Sequence, residues 1–480
     1  MLVIHNGIRR LNEYLPSTNH WLILLASIPV ALASGTLFVY SVYGTQLAEK
    51  CHLNSTQASN LNISATIGTA LGGCILGVIT DYYGTQIPIL ASFLSLSIGY
   101  KLLHYEFNLG VDSSIGLLLF AMFLIGNGSV SGYFSSLKAV AIYFPNYKAT
   151  AQSITIASFA ISSLIFLFIC SKIFKADVSK FLYFLFVSSG FMYLLGFIFI
   201  RIDGIIDQSP KPISSNQAEP EPIEEQPLLS IPSKPSSNLH DLSLKESLLH
   251  PIFWIHYLIL SIIQGLGQMY IYGVGYVIKA IHFHYTYYHN DPSYQPSLIE
   301  LQALHVSLIA ITSFIGRLTL GPQADFLVNK LKYQRHWILI LGLIIMLSGH
   351  FLLTLLTDLI SENLYHVNIL LSISSCLIGY AYGFSFTCYP SIISDLFNMQ
   401  NYSFLWGVMY TSTTFGLTIM TKIFGIIYDS NSNQYDDNTH EYFCDKGSGC
   451  YNLTFKITSS FCLLAGSIIL LYIFYRRTHT

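Results

Sequence analysis

The sequence predicts an all-α membrane protein of twelve transmembrane helices arranged as two six-helix pseudo-repeats. Three observations carry that reading: a chain stripped of charge, twelve apolar stretches of membrane-crossing length, and a motif pair that recurs at matched spacing in both halves. Of 480 residues, 52% are hydrophobic and only 10% are charged, against about 25% charged in soluble globular chains. The 33 Tyr and 32 Phe suit helices whose ends meet headgroups or a wet cavity. With a formal net charge of −2, nothing points to nucleic acid, and the lipid bilayer is the expected surrounding.

A span needs roughly 20 mostly apolar residues. Stretches of that kind fall at 22–46, 59–80, 86–104, 114–143, 151–171 and 181–200, and again at 252–278, 299–320, 337–357, 366–389, 404–428 and 456–475. Arg9 and Arg10 precede the first, as in a secretory signal. Its apolar run is far longer than the about 7–15 residues of a signal core, so it reads as an uncleaved helix. Between the sets, residues 201–250 turn rich in Pro, Ser and Glu, a composition that builds no packed core. The expected domains are a six-helix bundle over 1–200, a disordered cytosolic linker over 201–250 and a second bundle over 251–480.

Orientation follows the basic residues. Placing the amino terminus in the cytosol puts Arg9, Arg10, Lys148, Arg201, Lys330, Lys332, Arg335, Arg476 and Arg477 on the cytosolic side with the linker lysines. Lys50, Lys101, Lys172, Lys175, Lys180, Lys279, Lys446 and Lys456 lie opposite. The bias has the cytosolic sign, so both termini are expected in the cytosol. The sequons Asn54-Ser-Thr and Asn452-Leu-Thr then fall in exoplasmic loops, where N-glycosylation occurs. Six of the 8 Cys lie in or beside spans and read as small hydrophobes. Cys444 and Cys450 share a Gly-containing exoplasmic loop that can close a disulfide in an oxidising compartment, the alternative being two unpaired thiols.

The internal repeat is the most specific signal. Gly77-Val-Ile-Thr-Asp81-Tyr-Tyr-Gly84 follows the second span, and Gly316-Arg317-Leu-Thr-Leu-Gly321-Pro-Gln-Ala-Asp325 closes the eighth. Both place Gly-x-x-x-Asp at the cytosolic end of a span. Phe144-Pro145 closes the fourth span and Tyr389-Pro390 the tenth, with 64 residues from Asp81 to Pro145 and 65 from Asp325 to Pro390. Parallel repeats of this kind occur where two bundles rock about a central site.

On these residues the chain resembles the major facilitator superfamily over nearly its whole length, which implies the major facilitator fold. The Gly77…Asp81…Gly84 segment is similar to that superfamily's loop between spans two and three. Tyr82, Thr85 and Gln86 stand where basic residues are common, so a salt-bridged gate is not implied for the first half. Arg317 with Asp325 reads as a structural or gating pair. A narrower resemblance, to the nodulin-like and fungal monocarboxylate-transporter-homologue branch, rests on Leu32-Ala-Ser-Gly-Thr-Leu-Phe-Val-Tyr40, Gly126-Asn-Gly-Ser, Phe144-Pro145-Asn-Tyr-Lys148 and the Cys444…Cys450 loop. It implies a secondary transporter that moves a small solute across the vacuolar membrane by alternating access. The alternative is a non-transporting nutrient sensor on the same fold, which would carry a long cytosolic extension; the five residues after Tyr475 favour the transporter.

No phosphate-cradling Gly-x-x-x-x-Gly-Lys-Ser/Thr loop is present, so direct ATP-driven pumping and enzymatic chemistry lack a signature. The 16 His form no spaced metal cluster, and no cofactor is expected. A solute path is sought in polar stripes. Gln264, Gln268 and Tyr272 recur every four residues on one helical face. Asn127, Ser131, Ser135 and Lys138 form a second stripe, where Lys138 is either a functional intramembrane charge or a snorkelling one. In the linker, Glu224 stands four residues before Leu228-Leu229. Such an acidic dileucine resembles the sorting signals that clathrin-type adaptors read, and such an adaptor is the one protein partner the sequence suggests.

Overall fold

The computed structural model describes residues 15–175, 177–202, 239–289, 298–359, 364–432, 434–436, 441–444 and 446–479. Every expected span lies, to within a residue, in one long helical segment. The first is broken: α1 (His20–Ser34) passes through a 3-10 turn (Gly35–Val39) into α2 (Tyr40–Lys50). Asn19 caps α1 by accepting from the Leu22 amide, and Pro29 lies inside it. The five further spans of the first half are α3 (Ser55–Tyr83), α4 (Gln86–Leu109), α5 (Ile115–Tyr143), α6 (Lys148–Lys172) and α7 (Val178–Phe199).

After the break in the description, α8 (Leu244–Leu249) is a short helix closed by a Ser243–Glu246 capping box. It corrects the expected linker, whose last residues are helical: a Ser-x-x-Glu box satisfies the orphan amides that composition alone overlooks. The second set of spans is α9 (Pro251–His289), α10 (Leu298–Asn329), α11 (His336–Leu359), α12 (Leu364–Leu396), α13 (Tyr402–Asn431) and α14 (Asn452–His479). Eleven described helical segments are long and apolar enough to cross a membrane. The remaining one, α13, is 30 residues long but diluted by Thr411, Ser412, Thr413, Thr414 and Lys422.

A hairpin of β1 (Gln434–Asp436) and β2 (Glu441–Phe443) joins α13 to α14. Beyond it Cys444 and Cys450 are joined in a disulfide, with Cα atoms 6.0 Å apart. Both cysteines are fully buried, and the loop seats Gly447 against His284 at the end of α9.

Two apolar cores hold the helices. One is built from residues between Ile23 and Ile202. The larger runs through α9–α14 and takes in Val130, Tyr133, Phe134 and Leu137 of α5 with Ala149, Ile156 and Phe159 of α6. The halves therefore meet through α5 and α6, and through α3 where it packs on α13. Ile63, Ile67, Leu71 and Ile75, four residues apart on α3, are half exposed and form an outward apolar stripe suited to lipid tails. The opposite side of α3 packs tightly, Gly68 and Gly72 against α5 and Gly73 and Gly77 against α13.

Candidate functional site: paired latches and a central cavity

The Gly-x-x-x-Asp motifs meet the facing half at the same end of the molecule, here termed the gate face. Asp81 accepts hydrogen bonds from the Ser403 amide (3.0 Å) and the Phe404 amide (2.9 Å) at the start of α13. Asp325 accepts from the Ala149 amide (3.3 Å), the Thr150 amide (2.8 Å) and the Thr150 hydroxyl (2.7 Å) at the start of α6. Each carboxylate thus caps a helix of the other half, where unpaired amides and the helix dipole favour a negative charge. Gly77 and Gly321 let the backbones approach. A Cβ at Gly77 would lie 2.8 Å from the Ser403 carbonyl oxygen, and one at Gly321 would lie 2.6 Å from the Thr150 Cα. Gly84, three residues past Asp81, takes φ +84°, which frees the chain to turn into α4.

Cations back both carboxylates. Lys138, completely buried, sits 2.6 Å from Asp81. Two expectations are corrected here. Lys138 neither lines a solute path nor snorkels, and the first-half gate does contain a salt bridge, its cation supplied by α5. In a dry interior a carboxylate at contact distance outcompetes distant headgroups for the ammonium. The second latch is a chain: Arg335 binds Asp325 at 2.9 Å and Asp395 at 2.6 Å, and Asp395 also pairs with Lys148 of the first half. Burial works against the Arg335 charge, but Asp395 and Asp325 outweigh it and raise its pKa above the ordinary value. Gln152 adds a cross-half bond to the Tyr402 hydroxyl at 2.8 Å.

The expected pairing of Arg317 with Asp325 is not found. Eight residues along α10 separate them by about 12 Å of helix, which carries Arg317 into a cavity of about 260 Å³ between the halves. The first half contributes Phe38, Phe159, Ala160 and Ser163; the second contributes Gln268, Tyr272, Ser313, Arg317, Tyr382, Phe386, Tyr410 and Thr413, among others. Arg317 is the one charged residue of this lining. Its guanidinium carbon lies 5.0 Å from the Phe386 ring centre and 5.6 Å from that of Tyr382. Nε and Nη1 find no hydrogen-bond partner among the described residues. Phe134 packs edge to face on Trp406 and on Tyr410, with Phe134–Tyr410 centroids 5.4 Å apart, and Phe386 lies tilted against Trp406; Tyr410 and Phe386 of this cluster face the cavity.

Of the sequence-derived path residues, Gln268 and Tyr272 line the cavity. Gln268 bonds the Tyr382 hydroxyl at 3.3 Å, and Gln264 reaches the Tyr382 carbonyl at 3.4 Å. Asn127 and Ser131 lie elsewhere, where α5 meets Gly72. Stripe spacing marks a face and cannot say which partner it meets. Arg317 was assigned to the gate and not to the path, and Tyr382 and Phe386 were missed, although they stand four apart on one face. Asn54 is exposed and caps α3, accepting from the Gln57 amide. Asn452 opens α14 with a buried Oδ1. Glu224, Leu228 and Leu229 lie outside the described residues.

The family model of the Major Facilitator Superfamily matches residues 23–301 and 293–480. An uncharacterized membrane protein of Saccharomyces cerevisiae is 29% identical, with 98% of each chain aligned. A protein of Wickerhamomyces anomalus named probable transporter MCH1 is 27% identical over 86% of this chain and 80% of its own length. Among solved structures, a major facilitator superfamily transporter, FucP, in the outward conformation superposes with a TM-score of 0.58 at 13% identity, covering 92% of this chain and 98% of that one. With twelve long helical segments, latches repeated in both halves and a family match along nearly the whole length, the chain belongs to the major facilitator superfamily.

Proposed function

We propose that this secondary transporter moves a small organic anion across the vacuolar membrane by alternating access. The observation that carries the substrate class is Arg317: a buried cation, unpaired among the described residues, in a cavity between the two halves. An ionisable group at membrane depth is expensive and calls for a counter-charge, and the planar fork of Arg suits a carboxylate. The two latches support alternating access. They tie the halves at the gate face through contacts that a rocking motion would break and re-form. With both termini cytosolic, the gate face is cytosolic and the structure is closed on that side. Vacuolar delivery rests on the fungal resemblance and on Glu224 with Leu228-Leu229.

Proteoliposomes containing the purified chain test the reading. Saturable uptake of 14C-labelled pyruvate or oxalate, without uptake of labelled glucose and compared with and without a pH gradient, is expected. Uptake of glucose with neither carboxylate carried contradicts it.

A further inference from the structure

The two halves furnish the cavity unequally. The second half brings Arg317, with the Tyr382 and Phe386 rings 5.6 and 5.0 Å from its guanidinium carbon. The first half brings Phe38, Phe159, Ala160 and Ser163, a wall with no charge and one hydroxyl. Phe38 meets Phe159 edge to face, with centroids 5.6 Å apart and planes at 85°, so this wall is a corner of two rings. The corner is held from behind. Phe38 stands in the 3-10 turn of the first span, where a Cβ at Gly35 would collide with the Phe159 carbonyl oxygen. Across the same seam the Ser162 hydroxyl donates to the Leu32 carbonyl at 2.6 Å. Phe38 itself is half exposed, so its ring has surface left to cover. The cavity, at about 260 Å³, falls just under the about 300–1,000 Å³ of sites that take drug-sized ligands.

We infer that the transported anion carries an aromatic ring, which seats in the Phe38–Phe159 corner while its carboxylate docks on Arg317. This rests on the anion reading of Arg317 and names the body of that anion. Aromatic pairs favour edge-to-face or offset contact and add to the gain from the area they bury. A small acid such as pyruvate leaves the corner unfilled, whereas a single ring added to the same acid suits a cavity of this size. The anion then touches the second half through its charge and the first through its ring, so occupancy favours the state in which the halves are close. Phe38 is the specificity-determining residue of this corner.

The test is saturable uptake of 14C-phenylpyruvate and 14C-pyruvate, which differ by one phenyl group, into proteoliposomes, with uptake by protein-free liposomes subtracted. Wild type, Phe38→Ala and Arg317→Gln are compared. In wild type we expect KM to be about tenfold lower, or more, for phenylpyruvate, the effect of burying one ring. Phe38→Ala should raise the phenylpyruvate KM about tenfold and leave the pyruvate KM within about twofold. Where Phe38→Ala lowers the melting temperature, Phe38→Leu, which keeps apolar bulk without the ring, supplies the same comparison. Equal KM values for the two acids in wild type overturn the inference, as does a Phe38 variant that raises both KM values alike. If Arg317→Gln still abolishes pyruvate uptake in either case, the Arg317 reading stands. Undiminished uptake in Arg317→Gln, or no uptake of either acid by wild type, removes both.

Discussion

Asp325→Asn is the sharpest perturbation of the gate. Asn keeps the shape and one acceptor oxygen but removes the charge that faces the Ala149 and Thr150 amides. Arg335 is not stranded, because Asp395 still holds it at 2.6 Å. The fold should survive while the contact between halves weakens. A carboxylate at a helix start contributes up to about 2 kcal/mol in a partly buried setting, and charge-assisted bonds about 1.5–3 kcal/mol. Taking about 2 kcal/mol, the ratio of gate-open to gate-closed molecules rises about 30-fold. An open population of about 1% would become about a quarter. Spin labels at Tyr147→Cys and Leu331→Cys, both exposed positions flanking the gate from opposite halves, report it by electron–electron distance measurement. The half-buried free thiols Cys74 and Cys376 are replaced by Ser in that background. A longer distance component absent from the unsubstituted gate is expected. The same distance distribution in Asp325→Asn and its parent would refute the latch.

The first latch should respond differently. Asp81→Asn leaves the fully buried Lys138 without its counter-charge, which costs about 3–5 kcal/mol of stability. It should lower the melting temperature in detergent, with recovery in the Asp81→Asn, Lys138→Met pair. N-glycosylation should fall on exposed Asn54 and not on Asn452, whose Oδ1 is buried. Asn54→Gln should therefore remove all glycosidase-sensitive mass, and glycosidase-sensitive mass remaining in that variant would refute the assignment. Leu228→Ala with Leu229→Ala should divert a fluorescently tagged chain from the vacuolar membrane to the cell surface, and unchanged vacuolar signal would clear the dileucine of that role.

Much of the architecture was legible because a bilayer demands long apolar runs. Even α13 could be placed by its 404–428 stretch despite its Thr-rich middle. The 3-10 break at Gly35–Val39 was not, since hydropathy is blind to which turn of a buried helix tightens. The latches were half legible. Gly77, Asp81, Gly321 and Asp325 stood out by spacing, but their partners are amides of residues such as Ser403, 322 positions from Asp81. No side-chain pattern marks a backbone N–H. Lys138 and Arg317 were misplaced for one reason: each was judged by depth or by a sequence neighbour, whereas helix packing chooses the partner. Packing gave Lys138 a carboxylate from α3 and gave Arg317 two aromatic rings from α12 and, among the described residues, no carboxylate.

Arg317 therefore decides the matter most directly. The measurement is the uptake of 14C-pyruvate and 14C-oxalate into proteoliposomes by wild type, Arg317→Lys and Arg317→Gln, at matched protein incorporation. If an anion docks on this guanidinium, Arg317→Gln loses saturable uptake. Arg317→Lys, with charge but no planar fork, then keeps part of it at a raised KM. Wild-type KM and turnover in Arg317→Gln would contradict an anion site in this cavity.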